Sequence, residues 1–429
     1  MTVPRTLQVL SRPASLFALA LVVRVGFSLF VYPHVVTRAP SWAWEVNDNY
    51  DAIARSLVDE GVYAIDGATP TARRLPAYPL LLAAAYRASS DHFILLVQLL
   101  QAVLSAATVL LAYHLALALY GRRAAVAAGL MLAVYPNAVL YTSRAFTETL
   151  FSFVATALAL CLVRAFQPEQ QRVVRWAVLG GLCLGLALLT RGTLVLLPPF
   201  LLLGMGAFAS LRSGRSLAAW GVVCMTAALT VAPWLVRNYR ESGAVVYSTW
   251  SFAPAYHGQF VSEHLFSDDR TGFELDRQAS RERIAYLGRN ADVLDSAPNP
   301  IARERRADAL ARTLWLEGVT ERPARTAALY VRDLVLVWFL TYQPTSTTVS
   351  GLIHLPLLVL LLVVLLRDRR LVHDPGSTVL LLLVGYLVLF HGLVYPHVRY
   401  LMPLVPLVMV LVASVLRATP RERGNAGEF

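Results

Sequence analysis

Residues Trp42–Pro79 read WAWEVNDNYDAIARSLVDEGVYAIDGATPTARRLPAYP. The stretch is too polar to cross a bilayer, yet long apolar runs flank it on both sides. A polar loop strung between apolar runs of spanning length makes the chain a polytopic membrane protein, and this loop its first large one. Within it, Asn49–Asp59 has a helical pattern. Tyr50, Ile53, Ala54, Leu57 and Val58 share one face, and Asp51 and Arg55 form an i,i+4 pair on the other. Asp48 stands at the N-cap position and Gly61 at the C-cap. Leu75–Arg87 is apolar but too short to span, which predicts a helix lying at the interface.

The composition agrees. Hydrophobic residues make up 57% of 429 and charged ones 15%, and the mean hydropathy is +0.55. No soluble domain buries that share of apolar side chain. The net charge of +11 comes from arginines in short loops between apolar runs. That is a topology pattern, not a nucleic-acid-binding one. There is no lysine, so every fixed side-chain cation is arginine. Cys161, Cys183 and Cys224 each fall inside an apolar run and read as small core residues. Motifs for nucleotide, zinc-hydrolase or serine-esterase chemistry are absent.

Ten apolar runs are long enough to be spans: 15–33, 93–119, 124–142, 147–165, 175–190, 193–210, 217–235, 350–366, 377–396 and 400–416. The fold class is therefore all-α: about ten transmembrane helices, interfacial helices in the first loop and a small α-rich polar segment. Three stretches follow: an N-terminal membrane module 1–235, an extracytoplasmic segment 236–349 and C-terminal membrane helices 350–429. The first run, preceded by Arg5 and Arg12, reads as a retained helix. In the polar segment, Ala279–Asn290 and Ile301–Thr320 read as helices, and 326–343 as an interfacial one. Arg5, Arg12, Arg122, Arg123, Arg172, Arg175, Arg212, Arg215, Arg367, Arg369, Arg370 and the 417–423 tail fall on one face. The positive-inside rule makes it cytoplasmic, with both termini inside.

The opposite face then gathers the polar residues able to do chemistry. Glu45, Asp48 and Asp51 crowd the start of the first-loop helix, and Glu148 starts a span where an unpaired acid is costly. Arg73, Arg74, Arg191, Arg237 and Arg399 supply cations that suit a phosphate. Tyr50, Tyr78, Asn238, His257 and His397 stand near them in the topology as pocket residues, and His391 joins His397 around the last turn.

The ordered set Asp48–Tyr63, Arg74–Pro79, Tyr135-Pro136 with Tyr141 and Glu148–Phe151, Leu189–Arg191, Ala232–Tyr239, and Arg399-Tyr400 with Pro403 and Pro406 runs across nearly the whole chain. It resembles the GT-C superfamily of polyprenyl-phosphate-sugar-dependent glycosyltransferases. The nearest branch holds protein O-mannosyltransferases and lipid A aminoarabinose transferases. The resemblance implies a bacterial inner-membrane enzyme that moves a sugar from a polyprenyl-phosphate donor to a hydroxyl of a glycan, lipid or protein. It implies an acid in the first outer loop as base, carried here to Asp48, and a second acid at the outer start of the fourth span, carried to Glu148. The family acid stands four residues before its tyrosine, where this chain has Val46; Glu45, Asp48 and Asp51 therefore compete for the role. No cofactor is required. A divalent cation on Asp48 and Glu148 is compatible with the reading.

A rival class is a transporter or flippase for a lipid-linked sugar. Transporters gather ionisable groups at the midplane on broken helices in matching halves, whereas here they collect at one face. A non-catalytic assembly protein that docks through 236–325 is a third reading. The topology is testable in a cysteine-free background. A cysteine placed beside Asp48 or in 260–300 should react with an impermeant maleimide on intact cells, and one at Arg122 should not. Labelling at 122 would invert the orientation.

Overall fold

The computed structural model describes residues 12–38, 44, 48–266, 270–341 and 344–417. Glu45 and most of the arginine-bearing termini lie outside the described residues. Each of the ten apolar runs contains a helix, but not every one is a full span.

In chain order, α1 (Pro13–Arg38) crosses with a π-turn at Phe27–Val31. The first loop carries α2 (Tyr50–Asp59) and α3 (Ala77–Ala88). Then come α4 (Phe93–Tyr120) and a broken pair, α5 (Arg122–Ala133) and α6 (Pro136–Leu140), bent by 55°. Next are α7 (Glu148–Phe166), α8 (Val173–Thr190), the shorter α9 (Leu197–Ala207) and α10 (Gly214–Ser242). The polar segment holds α11 (Phe252–His264), α12 (Gly272–Arg289), α13 (Pro300–Glu321) and α14 (Pro323–Leu336). Last are α15 (Pro344–Arg367), α16 (Pro375–Val394) and the short α17 (Val405–Ala413). Among the described residues, seven helices are long and apolar enough to cross alone. The run 400–416 yields only a short helix because a 3-10 turn at Val398–Leu401 and prolines 403 and 406 delay its start.

Packing explains two sequence features that periodicity leaves open. Gly181 and Gly185 of α8 sit directly under Thr226 and Thr230 of α10, where a methyl group would collide with the threonine side chains. Small residues four apart let two membrane helices approach closely. Pro136 breaks the α5–α6 pair by removing an N–H and clashing with the preceding turn. The carbonyls freed there are taken by Arg24, fully buried in α1. It donates to Ala133 O at 2.8 Å, Leu132 O at 3.2 Å and Ser105 Oγ at 2.7 Å.

The first loop is pinned to the bundle, not free. Ile53, Tyr63, Ala72 and Leu75 share an apolar cluster with Trp234 of α10, Val246 and Ile301 of α13. Glu304 of α13 accepts from Thr71 Oγ1 at 2.5 Å, Ala72 N at 3.1 Å and Thr249 Oγ1 at 2.7 Å. The expected Asp51–Arg55 pair is not formed: Arg55 turns instead over the rings of Tyr86 and Phe93, at 4.9 and 5.2 Å. The helix expected from Ala279 begins earlier, at Gly272, because Thr271 and Glu274 form a capping box.

The polar segment closes over the same end. α11 packs on α12, α13 and α16, and Phe260, Val261, Leu275 and Ala279 cluster with Tyr395. At Gly258 the α11 backbone meets the Val394–Tyr395 backbone so closely that a Cβ would run into the Val394 carbonyl and lie 2.8 Å from Tyr395 Cα. Gly258→Ala should therefore destabilise by about 1–3 kcal/mol. A thermal melt of the purified protein that matched wild type would remove Gly258 as the docking point.

Candidate active site

The loop end of the bundle encloses a cavity of about 580 Å³. Its walls come from the first loop, the ends of α8 and α16, the polar segment and the turn before α17. They include Asp48, Tyr50, Arg73, Arg74, Arg191, His257, His391 and Arg399.

Asp48 is placed by an unusual backbone. The helix cap is Asn49, not Asp48, and Asn49 has φ +66°, the one non-glycine residue of positive φ among those described. An asparagine tolerates the left-handed region at a modest cost. The kink frees Asp48 from capping and points its carboxylate at cations. Arg399 Nη2 donates to Asp48 Oδ2 at 3.0 Å, Arg74 Nη2 lies 3.5 Å from Oδ1, and Arg74 Nε donates to the Asp48 carbonyl at 2.8 Å. Burial alone pushes the Asp48 carboxyl up. The charges of Arg74 and Arg399 and the hydrogen bond from Arg399 outweigh it and hold the group down at about 2.

Arg399 reaches a second acid. Its Nε donates to Glu148 Oε1, and Arg191 Nη1 donates to the same oxygen at 3.3 Å. Glu148 is 0% exposed, does not line the cavity, and has an Oε2 without a hydrogen-bond partner. It works from behind, as the counter-charge that lets Arg191 and Arg399 stay in a dry place. Glu148 and Asp48 hold Arg399 charged, well above its usual range, against a burial effect that would lower it. The centre of the Phe146 ring lies 3.7 Å from its guanidinium carbon, a cation–π contact.

The remaining residues expected here divide. Tyr50 lines the cavity, with the ring of Tyr78 edge-on to it at 5.2 Å; Tyr78 itself is buried behind and donates to Gln101 Oε1 at 3.0 Å. His257 lines it beside Asp276, at 3.3 Å. His397 does not: its Nδ1 accepts from Arg399 N at 3.0 Å and so caps the turn that presents Arg399. Burial, with Arg399 and Arg144, lowers His397 to about 3, so it is neutral. Arg237 and Asn238, expected as phosphate and pocket residues, are braces instead. Arg237 donates to Thr71 O at 2.8 Å and to Asn238 Oδ1 at 2.9 Å, and Asn238 donates to Val246 O at 2.7 Å. They lie outside the cavity because backbone carbonyls claim them first, Thr71 in the first loop for Arg237 and Val246 after α10 for Asn238. Asp51 accepts from Ala52 N in the first turn of α2 and does not line the cavity. Glu45 lies outside the described residues.

Asp48 and Glu148 do not fit a metal site. The position between them is filled by a guanidinium, and no three His, Cys, Asp or Glu residues converge among the described residues. Sequence reasoning missed Trp250, Asp276 and Arg283. They come from the polar segment, and long-range docking of α11 and α12 brings them to the wall. The available signal was a tryptophan in a serine- and threonine-rich loop, which no periodicity explains.

An all-helical membrane bundle with its polar residues drawn to one end is the class that this fold and site define. Residues 74–236 match the family model described as dolichyl-phosphate-mannose-protein mannosyltransferase. The fold is shared with the oligosaccharyltransferase of Archaeoglobus fulgidus. The structure of that protein tethered to an acceptor peptide superposes with a TM-score of 0.53 at 14% identity, over 94% of this chain and 49% of the other. Its complex with an inhibitory peptide and a dolichol-phosphate gives 0.53 at 15%, over 94% and 50%. The chain thus spans about half the length of these solved structures. No curated protein sequence matches it. The all-α polytopic fold read from the apolar runs is the fold observed.

Removing the Glu148 charge should be felt as stability. Glu148→Gln leaves two buried guanidiniums without their shared anion, a loss of about 3–5 kcal/mol. An unchanged thermal midpoint would show that Arg191 and Arg399 do not depend on it.

Proposed function

We propose that the chain is an integral membrane glycosyltransferase that uses a polyprenyl-phosphate sugar on the outer face of a bacterial inner membrane, with both termini cytoplasmic. The observation that carries the reading is the line Asp48–Arg399–Glu148–Arg191 beside one cavity. One carboxylate faces the cavity, while the other is buried and holds the cations in place. The family match over residues 74–236 and the shared fold support it.

Arg74, Arg191 and Arg399 carry three positive charges against two carboxylates, which leaves an excess for one anion. A donor phosphate fits there, and its developing negative charge on departure is what fixed guanidiniums stabilise. The acceptor hydroxyl gives its proton to Asp48 as its oxygen bonds to the anomeric carbon. The carbon–oxygen bond to phosphate breaks, its electron pair leaves with the polyprenyl phosphate, and the anomeric configuration inverts. Asp48 at about 2 is a weak base while Arg74 and Arg399 hold it. A phosphate competing for those guanidiniums draws charge away from Asp48 and raises its basicity when the donor is present.

The transporter reading has less to stand on. Arg24, an ionisable group buried within a span, is consumed by the carbonyls of a helix break and opens on no path.

Asp48→Asn keeps the size and removes the base. It should accumulate normally, because Asp48 is not the cap, and lose about 10²–10⁴-fold in transfer rate. The assay is release of polyprenyl phosphate from a labelled donor by purified protein. An active Asp48→Asn enzyme beside an inactive Glu45→Gln one would move the role to Glu45.

A further inference from the structure

A second cavity of about 530 Å³ adjoins the first and shares Arg73, Trp250, Ser280 and Arg283 with it. Its size is that of a small-molecule site, roughly 300–1,000 Å³. The two cavities differ in what they touch. The first reaches Thr190 and Phe390–Val394, at the ends of spanning helices. The second is lined only by the first loop, the Thr249–Ala253 stretch, α12 and α13, and by no residue of a spanning helix. A donor whose tail lies in the bilayer meets the first; a ligand coming from the polar side meets the second.

The shared wall holds two guanidiniums that no carboxylate of the described residues contacts. Arg73 and Arg283 lie over the Trp250 ring, with guanidinium carbons 3.8 and 4.8 Å from its centroid. Both Nε atoms are buried without a hydrogen-bond partner, and Arg283 is only 8% exposed. Neither guanidinium makes a hydrogen bond or ion pair among the described residues. Burial, together with Arg74 and Arg283, pushes Arg73 down to about 10, against the smaller opposing effect of Glu304 and Asp48 through space.

The nearby acids are committed elsewhere. Glu304 binds Thr71, Ala72 and Thr249. Asp308 Oδ1 accepts from Ser251 N, Phe252 N and Ala253 N at the start of α11, acting on Arg283 through space without contact. Arg303, also on this cavity, pairs with Asp295 at 3.3 Å. A buried polar group without a partner is costly, and two guanidiniums held by one indole are set to receive an anion with several acceptor oxygens.

We propose that the second cavity is the acceptor subsite and that the acceptor is an anionic saccharide, whose carboxylate or phosphate is bound by Arg73 and Arg283 beside Trp250. The proposal rests on the transferase reading above. It adds the acceptor's chemical class and a path: the acceptor crosses the Arg73–Trp250–Arg283 wall to bring its hydroxyl to Asp48.

The test is binding, not turnover, with the full chain in neutral phosphatidylcholine nanodiscs. Glucuronate, glucose 6-phosphate and glucose are the sugar probes, read by saturation-transfer NMR; undecaprenyl phosphate is titrated separately. At least one anionic sugar should bind about tenfold or more tighter than glucose, a difference typical of a charged hydrogen bond. Arg283→Gln and Arg73→Gln should each abolish that preference, while Arg283→Gln leaves undecaprenyl phosphate affinity unchanged. Should Arg283→Gln fail to accumulate, the less buried Arg73→Gln carries the test alone, on the anionic preference. Two results overturn the proposal. In one, no anionic sugar exceeds glucose, which makes the arginine–indole stack structural. In the other, the substitutions weaken undecaprenyl phosphate and not the sugar, which assigns the pair to the donor. A wild-type protein that binds no undecaprenyl phosphate, yet still prefers anionic sugars, would count against the transferase reading and not against the subsite.

Discussion

The buried carboxylate of Glu148 is the constraint on which the rest of the site depends. A guanidinium in a low-dielectric position is stabilised most by an anion in contact, and one Glu148 oxygen serves two of them. With Arg399 fixed at one end by Glu148, its far nitrogen is aimed at Asp48. With Asp48 aimed at Arg399 and Arg74, the first loop must kink, and Asn49 accepts the left-handed conformation that the kink requires. The strain thus lies beside the Asp48 carboxylate, where the surroundings over-determine it.

The scaffold serves this geometry by keeping its moving parts few. Glu148 is the first residue of α7, a helix buried on nearly every side, so its carboxylate cannot shift without moving the bundle. The close approach of α8 and α10 through Gly181 and Gly185 sets Arg191, at the end of α8, relative to Arg237, near the end of α10. Arg237 then pins the first loop through Thr71. Arginine thus acts as a cation at 191 and 399 and as a multidentate brace at 24 and 237.

Much of the fold was legible in the sequence because spanning helices need about 20 apolar residues and little else imitates that signal. The ten runs follow from it, and the two first-loop helices from facial patterning and from a run too short to span. Asp48, Arg74, Arg191 and Arg399 could be named because polar residues at one end of a bundle have few places to go. What could not be read depends on partners distant in sequence. Whether Asp48 caps a helix turns on the backbone angle of Asn49. Whether Arg237 binds substrate or loop turns on where the Thr71 carbonyl lies. Arg55 chose two aromatic rings over Asp51, a contest among near-equal surface energies. Trp250 and Arg283 meet Arg73 only because α11 and α12 fold back over the bundle.

The absence of lysine gives no information over most of the chain, but at position 399 the guanidinium is required by geometry. Arg399 contacts two carboxylates through two different nitrogens, Nε for Glu148 and Nη2 for Asp48, and its guanidinium carbon lies 3.7 Å from the centre of the Phe146 ring. The angle between those nitrogens is fixed by the planar fork. An ammonium could neutralise either acid. It has no planar fork to hold the two carboxylates at a constant separation. It also gives up its proton far more readily when buried. Asp48 would then be paired but not positioned. The directional cation, more than the charge itself, couples a buried glutamate in the bundle to an aspartate in a loop.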